Sequence, residues 1–409
     1  MPPAAIPRDS LPLTGYTSAM LTRRTLIASA LAVPAAAQVD LGFTDNPLRP
    51  TSSAFPQKGA MILQRSTPPL LETPISVFDE HDFTPNDRFF VRWHYPFPTS
   101  IDPASHRLNI AGHVGKPLSL SLADLARLPR HRVAAVNQCA GNGRGLFAPR
   151  VPGAQWANGA MGNALWEGVR LKDVLALAGV KAGAVAVQCG GLDTPPVEGA
   201  PDYEKSLPID HALSDDVLIA WAMNDAALPL LNGFPLRLVV PGWYSTYWVK
   251  MLDSITVLGT PDPGFWMAKA YLQPANPLAD VAPGAPAGPR VPVTAMRPRA
   301  IITNMVGGAK LPAQALTPVR GVAMGGDHGV KSVELSADNG ATWQLAQLGP
   351  DHGRWAFRRF TGALALPPGR HRIIARATNS AGDTQPLQQN WNPSGYNRAG
   401  VDPVAVEIS

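Results

Sequence analysis

The sequence predicts an α+β protein, a mixed α/β domain followed by a small β-sandwich, and three observations lead there. Proline and glycine, 43 and 37 of 409 residues, break the backbone often enough to disfavour long helices and to favour short strands joined by ordered loops. Between residues 78 and 258, apolar runs of helical spacing alternate with strand-like runs bounded by Gly/Pro turns. Beyond residue 297 the pattern becomes an alternation of apolar and polar residues at turn-bounded intervals, as sandwich strands require.

The chain divides accordingly. Arg23-Arg24 precedes an apolar run over residues 26–37 that ends in Ala35-Ala36-Ala37. At roughly a dozen residues the run is too short to span a bilayer, and it reads as a twin-arginine signal peptide over 1–37, with Met20 as an alternative start. Residues 38–74 are Pro-rich and patternless, an extended N-terminal arm wrapped over a domain. In the first domain, residues 75–274, helical spacing occurs over 171–178 and 212–223, and short buried strands are expected at 133–136, 185–188 and 236–240. A Pro/Gly/Ala linker covers 275–297. The second domain, 298–409, carries expected strands at 320–323, 330–336, 342–347, 355–361 and 369–378. There is no internal repeat.

Composition excludes several functions. Charged residues are 16% of the chain against a usual ~25%, and 45% are hydrophobic, so the chain is globular rather than disordered. A formal net charge of +5, with no basic run interleaved with aromatics, gives no case for a nucleic-acid partner. Cys139 and Cys189 stand too far apart for a Cys-x-x-Cys-His haem attachment, and two cysteines cannot make a four-cysteine zinc or iron–sulfur site. Any redox chemistry therefore needs another kind of cofactor. Nucleophile-elbow, P-loop, HExxH and dinucleotide motifs are absent.

One segment carries chemistry on its face: Asn137-Gln138-Cys139-Ala140-Gly141-Asn142-Gly143-Arg144. A strand ending in Cys and followed by two glycines and Asn makes a tight turn, leaving a thiolate at the strand end among backbone N–H groups and Arg144. The competing reading is a buried, inert cysteine, and Cys189, between Gln188 and Gly190, keeps that reading.

Phe90-Val91-Arg92-Trp93-His94, Gln138-Cys139-Ala140-Gly141-Asn142, Gly191-Leu192-Asp193, Gly233-Phe234-Pro235-Leu236-Arg237, Val239-Val240-Pro241-Gly242 and Val249-Lys250 follow one another in an order that resembles the sulfite oxidase family of molybdenum enzymes. The resemblance covers roughly residues 75–400 and includes Val333-Glu334-Leu335-Ser336-Ala337-Asp338-Asn339-Gly340 and Trp343. Within the family, the twin-arginine motif, residues 242–248 and the absence of a haem motif are similar to the bacterial periplasmic sulfite dehydrogenases.

That resemblance implies a molybdopterin-binding catalytic domain over 75–274 and an immunoglobulin-like dimerisation domain over 298–409. Cys139 matches the thiolate that holds molybdenum alongside a pyranopterin, a soft ligand suited to that metal. Arg92, His94 and Arg144 match positions around a pocket for sulfite, an anion that needs fixed cations and N–H donors. Tyr271 matches the family's active-site tyrosine, with Tyr203 as second candidate. Arg237 and Lys250 match the cations for the pterin phosphate, while Asp193, Ser245 and Trp156 are further cofactor residues. Asn232 stands where animal members carry His, so it can hydrogen-bond the pterin but not be charged. Arg398, in the tail, matches loosely a residue approaching the pocket.

The activity implied is oxidation of sulfite to sulfate in the periplasm, with electrons passing one at a time to a separate c-type cytochrome, since no haem is expected in this chain. Implied assemblies are a homodimer or a heterodimer with a cytochrome subunit. Rival readings are a sulfane-sulfur dehydrogenase on the same scaffold, a methionine sulfoxide reductase, which the C-terminal sandwich disfavours, and a non-catalytic binding protein, which the joint presence of Cys139, Arg92 and Tyr271 disfavours.

Overall fold

The strand His131–Gln138 runs directly into Cys139, and the surrounding sheets are arranged about that strand end. The computed structural model describes residues 37–409. The twin-arginine motif and nearly all of the expected signal peptide lie outside the described residues.

His131–Gln138 pairs antiparallel with Met161–Arg170, from His131 opposite Gly168 to Gln138 opposite Met161. Leu218–Met223 extends this sheet and takes Arg237–Val239 as a further antiparallel partner. A second sheet has the order Lys205–Pro208, Ala186–Gly191, Leu252–Leu258, Leu108–Gly112, Leu118–Leu120, with Leu252–Leu258 and Leu108–Gly112 running parallel. The helix Leu171–Ala178 drops Leu171, Val174, Leu175 and Ala178 into the core at the spacing of one helical face. Gly179, at φ +66°, ends it in the left-handed conformation that glycine adopts without steric cost. Trp156, Trp166 and Trp248 are buried in the same core.

Three segments differ from what the sequence predicts. Residues 212–223 are not a helix: a short helix, Ile209–Ala212, turns into the strand Leu218–Met223. Leu218, Ile219 and Ala220 are all buried because both faces of the strand are covered, and an unbroken apolar run carries no period to separate helix from strand. The arm is not simply extended: Gln38–Asp40, Leu48–Ser52, Met61–Arg65 and Leu70–Glu72 form an antiparallel meander completed by Val91–Arg92. Its strands are too short to display alternation. In the expected linker, Arg290–Pro292 pairs with Leu272–Pro274, and Val293 and Met296 are buried.

The C-terminal sandwich has one sheet in the order Arg299–Ile302, Thr317–Met324, Arg358–Leu364, Gln347–Leu348, and a second in the order Ala309–Leu311, Val404–Ile408, Gly369–Asn379, Val330–Ser336, Gln344–Leu345. Val319, Val333, Leu335, Phe360, Ile373 and Ala375 fill its core. The expected strand over 355–361 begins late, at Arg358, because Trp355 turns toward the first domain, where its carbonyl accepts from Val136 N–H at 2.8 Å. Ile301, Val322, Met324 and Phe357 pack with Val136, Ala140 and Met161. The sandwich thus backs the Cys139 strand, and residues 37–409 belong to one compact unit.

No helix among the described residues is long and apolar enough to cross a membrane.

Candidate active site

Backbone hydrogen bonds fix Cys139 at its strand end. Its N–H donates to Ala160 C=O at 2.9 Å, and its carbonyl accepts from Asn142 N–H at 2.9 Å. The Asn142 side-chain oxygen accepts from Ala160 N–H at 2.9 Å, closing the turn against the next strand. Gly143 adopts φ +82°, and a Cβ there would stand 2.8 Å from Arg398 Cδ. A Cβ on Gly141 would stand 2.5 Å from the Arg144 guanidinium carbon. The tight turn read from the sequence is therefore also a crowded one. Cys139 and Cys189 are both buried and free, and burial pushes the Cys189 thiol up to about 12, in keeping with an inert role.

Cys139 opens on a narrow cavity. Arg92, His94, Asn232, Arg237, Ser245, Lys250 and Tyr271 line it too, together with Tyr203, Asn137 and Thr246. These residues arrive from separate elements: Arg92 from the strand that completes the arm's sheet, Cys139 from the central sheet, Arg237 and Lys250 from a facing bridge, and Tyr271 from the start of the hairpin after residue 270.

Four expected residues are not on the cavity wall. Arg144 donates to Ser394 C=O at 3.3 Å and lies 5.0 Å over the Tyr396 ring, which stacks on Tyr271 at 5.3 Å, so it reaches the cavity through Tyr396. Arg398 ion-pairs with Asp402, as does Arg299 at 2.9 Å, and this pairing turns it away from the cavity. Trp156 is wholly buried in the core, and its carbonyl accepts from Gly145 N–H at 2.9 Å, bracing the cysteine turn. Asp193 sits behind the wall, where it draws on Lys250 electrostatically.

The cavity is strongly cationic. Arg237 donates from Nη1 to Asn232 C=O at 2.9 Å and from Nη2 to Asn137 Oδ1 at 3.2 Å, between the rings of Trp166 and Trp248. Burial lowers its pKa to about 9. Lys250 lies 4.2 Å over the Trp93 ring; burial lowers its pKa and the neighbouring Arg237 adds to this, while burial raises that of Asp193. For Arg92, burial opposes the charge but Tyr271, Cys139 and Tyr203 together outweigh it, so its pKa is raised and it stays ionised. Burial first, then Arg92 and Lys250, hold His94 well below its ordinary value, so it is neutral at physiological pH.

His94 Nε2 lies 2.5 Å from Tyr271 Oη. Burial drives Tyr271 well above its ordinary value, so the phenol keeps its proton. Tyr271 itself has φ +55°, a conformation costly for an aromatic residue, and one that persists at sites where the surroundings over-determine it. Tyr203, the second candidate, stacks on His94 at 3.9 Å, but its hydroxyl is committed to Thr246 C=O at 2.8 Å. Trp266 meets His94 edge-on at 4.8 Å, and Phe265 beside it is half exposed, giving the site an aromatic rim.

The residues fit an anionic, metal-bearing group. Arg92 Nη1, Asn137 Nδ2 and Arg237 Nε are buried around the cavity without a protein partner. Buried donors are ordinarily satisfied, so this set suits an anion with several acceptor oxygens. The one thiol among them is a soft donor. Sequence reasoning missed Lys58, Lys205 and Tyr396. Lys205 donates to Trp266 C=O at 2.7 Å and lies 5.4 Å over the Tyr271 ring. No local pattern marks any of the three.

Comparison with known proteins agrees with this geometry. Residues 94–266 match the oxidoreductase molybdopterin binding domain family, and 291–404 the Mo-co oxidoreductase dimerisation domain family. The chain is 37% identical to the sulfite oxidase of Gallus gallus over 79% of its own length and 73% of the relative's. It is 34% identical to the mitochondrial sulfite oxidase of Homo sapiens over 79% of its length, and spans 61% of that protein. The sulfane dehydrogenase SoxCD from Paracoccus pantotrophus superposes with a TM-score of 0.72 at 25% identity, over 83% of this chain and 87% of that one.

Proposed function

Because this chain belongs to the sulfite oxidase family of molybdenum enzymes, we propose that it oxidises sulfite to sulfate and passes the electrons singly to a c-type cytochrome in the periplasm. The observation that carries this reading is a buried thiol, Cys139, facing Arg92 across a cavity whose buried donors lack protein partners. Cys139 would hold the molybdenum, and Arg237, Lys250 and Asn232 the pterin phosphate. Once bound, that centre supplies oxygen transfer to sulfur and takes up the two electrons released.

The chain's own residues bind and orient the substrate. Arg92 stays charged and presents its free Nη1 to the anion, and the low dielectric around it strengthens the contact. Tyr271 holds its proton at Oη, within reach of His94 Nε2, so it can donate a hydrogen bond to an oxyanion without ionising. Neutral His94, stacked between Tyr203 and the Trp266 edge, fixes that hydroxyl and adds no charge of its own. The aromatic rim keeps bulk water off the pocket mouth and offers a rigid surface for a docking cytochrome.

The likeness to the sulfane dehydrogenase favours a second reading, in which the same pocket oxidises sulfane sulfur. Metal analysis of the purified protein, followed by steady-state assays with sulfite and with a sulfane-sulfur carrier, each with cytochrome c or ferricyanide as acceptor, separates the readings. Turnover of sulfite by a molybdenum-loaded protein supports the first. Turnover of the sulfane carrier alone supports the second, and a metal-free protein inactive with both refutes each.

A further inference from the structure

The N-terminal arm buries a lysine that neither its sequence nor the chemistry above accounts for. Lys58 is 7% exposed, and its ammonium spends all three protons: on Asn86 C=O at 2.7 Å, on Phe89 C=O at 2.9 Å, and on Asn232 Oδ1 at 2.6 Å. Among the described residues no carboxylate pairs with it; Asp87 attracts it without an ion pair, and Arg237 repels it. The approach is enforced by Gly59, where a Cβ would stand 2.8 Å from Asp87 Oδ2. A buried cation without a counterion is costly unless it serves something else, and burial lowers the pKa of Lys58 to about 7.

What it touches is a residue of the cavity wall. Asn232 lines the cavity, and its backbone carbonyl accepts from Arg237 Nη1 at 2.9 Å. Its Nδ2 donates one hydrogen to Phe90 C=O at 3.1 Å. An ammonium can only donate, so the amide facing Lys58 must present its oxygen there, and the flipped amide is excluded. The second Nδ2 hydrogen is the one left for a ligand.

We propose that Lys58 is a positioning residue for the cofactor: it locks the Asn232 amide so that an N–H, not a carbonyl, meets the terminal phosphate of the pterin, and it places a positive charge beneath that subsite. This rests on the assignment of the cavity to molybdopterin. The arm thereby contributes to cofactor retention.

The test uses the holoenzyme and reads the cofactor directly. Molybdenum content and fluorescent pterin released over time are measured for the wild-type chain, Lys58→Gln, Lys58→Met, Asn232→Ala and Lys58→Gln/Asn232→Ala. Lys58→Gln is expected to release pterin about tenfold faster, while the sulfite KM of the loaded fraction stays unchanged. In the Asn232→Ala background the same substitution should change release less than twofold, because its route of action is gone. Multiplying effects in the double variant would make Lys58 an arm anchor and overturn the proposal. If Lys58→Gln fails to fold, Lys58→Met, which keeps the aliphatic stem, takes its place in the cycle. A wild-type chain that lacks both molybdenum and pterin overturns the cavity assignment and this proposal with it. Equal retention in a loaded wild type and its Lys58 variants overturns this proposal alone.

Discussion

Arg92→Gln isolates what the pocket does for the anion. The Arg92 guanidinium is buried, has a free Nη1, and makes no ion pair with a carboxylate among the described residues. Removing it therefore strands no charge elsewhere on the protein, which is the usual source of large losses when one member of a buried pair is deleted. What disappears is one charge-assisted hydrogen bond to the ligand, worth about 1.5–3 kcal/mol, or roughly a 10- to 150-fold rise in the sulfite KM at 25 °C. Glutamine keeps an N–H donor of shorter reach, so the lower half of that range is expected. Thermal stability should hold, because no ion pair with a carboxylate is broken among the described residues. The assay is steady-state sulfite oxidation normalised to bound molybdenum, with calorimetry on the same preparation. A melting temperature several degrees lower with an unchanged KM would show that Arg92 supports the fold and would refute the reasoning.

Other perturbations follow from the same geometry. Cys139→Ser keeps the backbone bonds to Ala160 and Asn142 but replaces a soft thiolate by a hydroxyl, so turnover should fall by several orders of magnitude in a protein whose circular dichroism is unchanged. Full activity in that variant would remove Cys139 from the metal site. In protein purified without cofactor, Lys58 and Lys205 titrate near 7 when folded but near 10.5 when unfolded. Between those values the unfolded chain binds more protons, so stability should climb from pH 7 to pH 10, and a melting temperature that falls across that window contradicts the burial argument. Replacing Arg23 and Arg24 together by lysine should strand active enzyme in the cytoplasm; unimpaired export, followed by fractionation and activity, would exclude the twin-arginine route.

How much of this was readable in advance depended on how locally each feature is encoded. Leu171–Ala178 was legible because its buried positions repeat at helical spacing and Gly179 closes it, whereas Leu218–Met223 was not, because a strand buried on both faces erases the period that would identify it. The cavity residues were legible for a different reason. Arg92, Cys139, Arg237 and Lys250 each sit in a short motif whose order along the chain resembles one family, and the fold then brings those motifs to one wall. Arg398 shows where that route stops, since its position in the tail said nothing of Asp402, four residues on, which claims its guanidinium. Lys58 shows it more sharply. Its three acceptors lie 28, 31 and 174 positions away, so no window of sequence contains the reason for its burial. A solvated surface lysine and this one look alike until the arm's strands are paired, because what distinguishes them is the burial of the ammonium and the presence of Asn232 beneath it. Residues that act through another residue leave their trace in the tertiary hydrogen-bond network, and the cavity wall at Asn232 is where that network and the motif order meet.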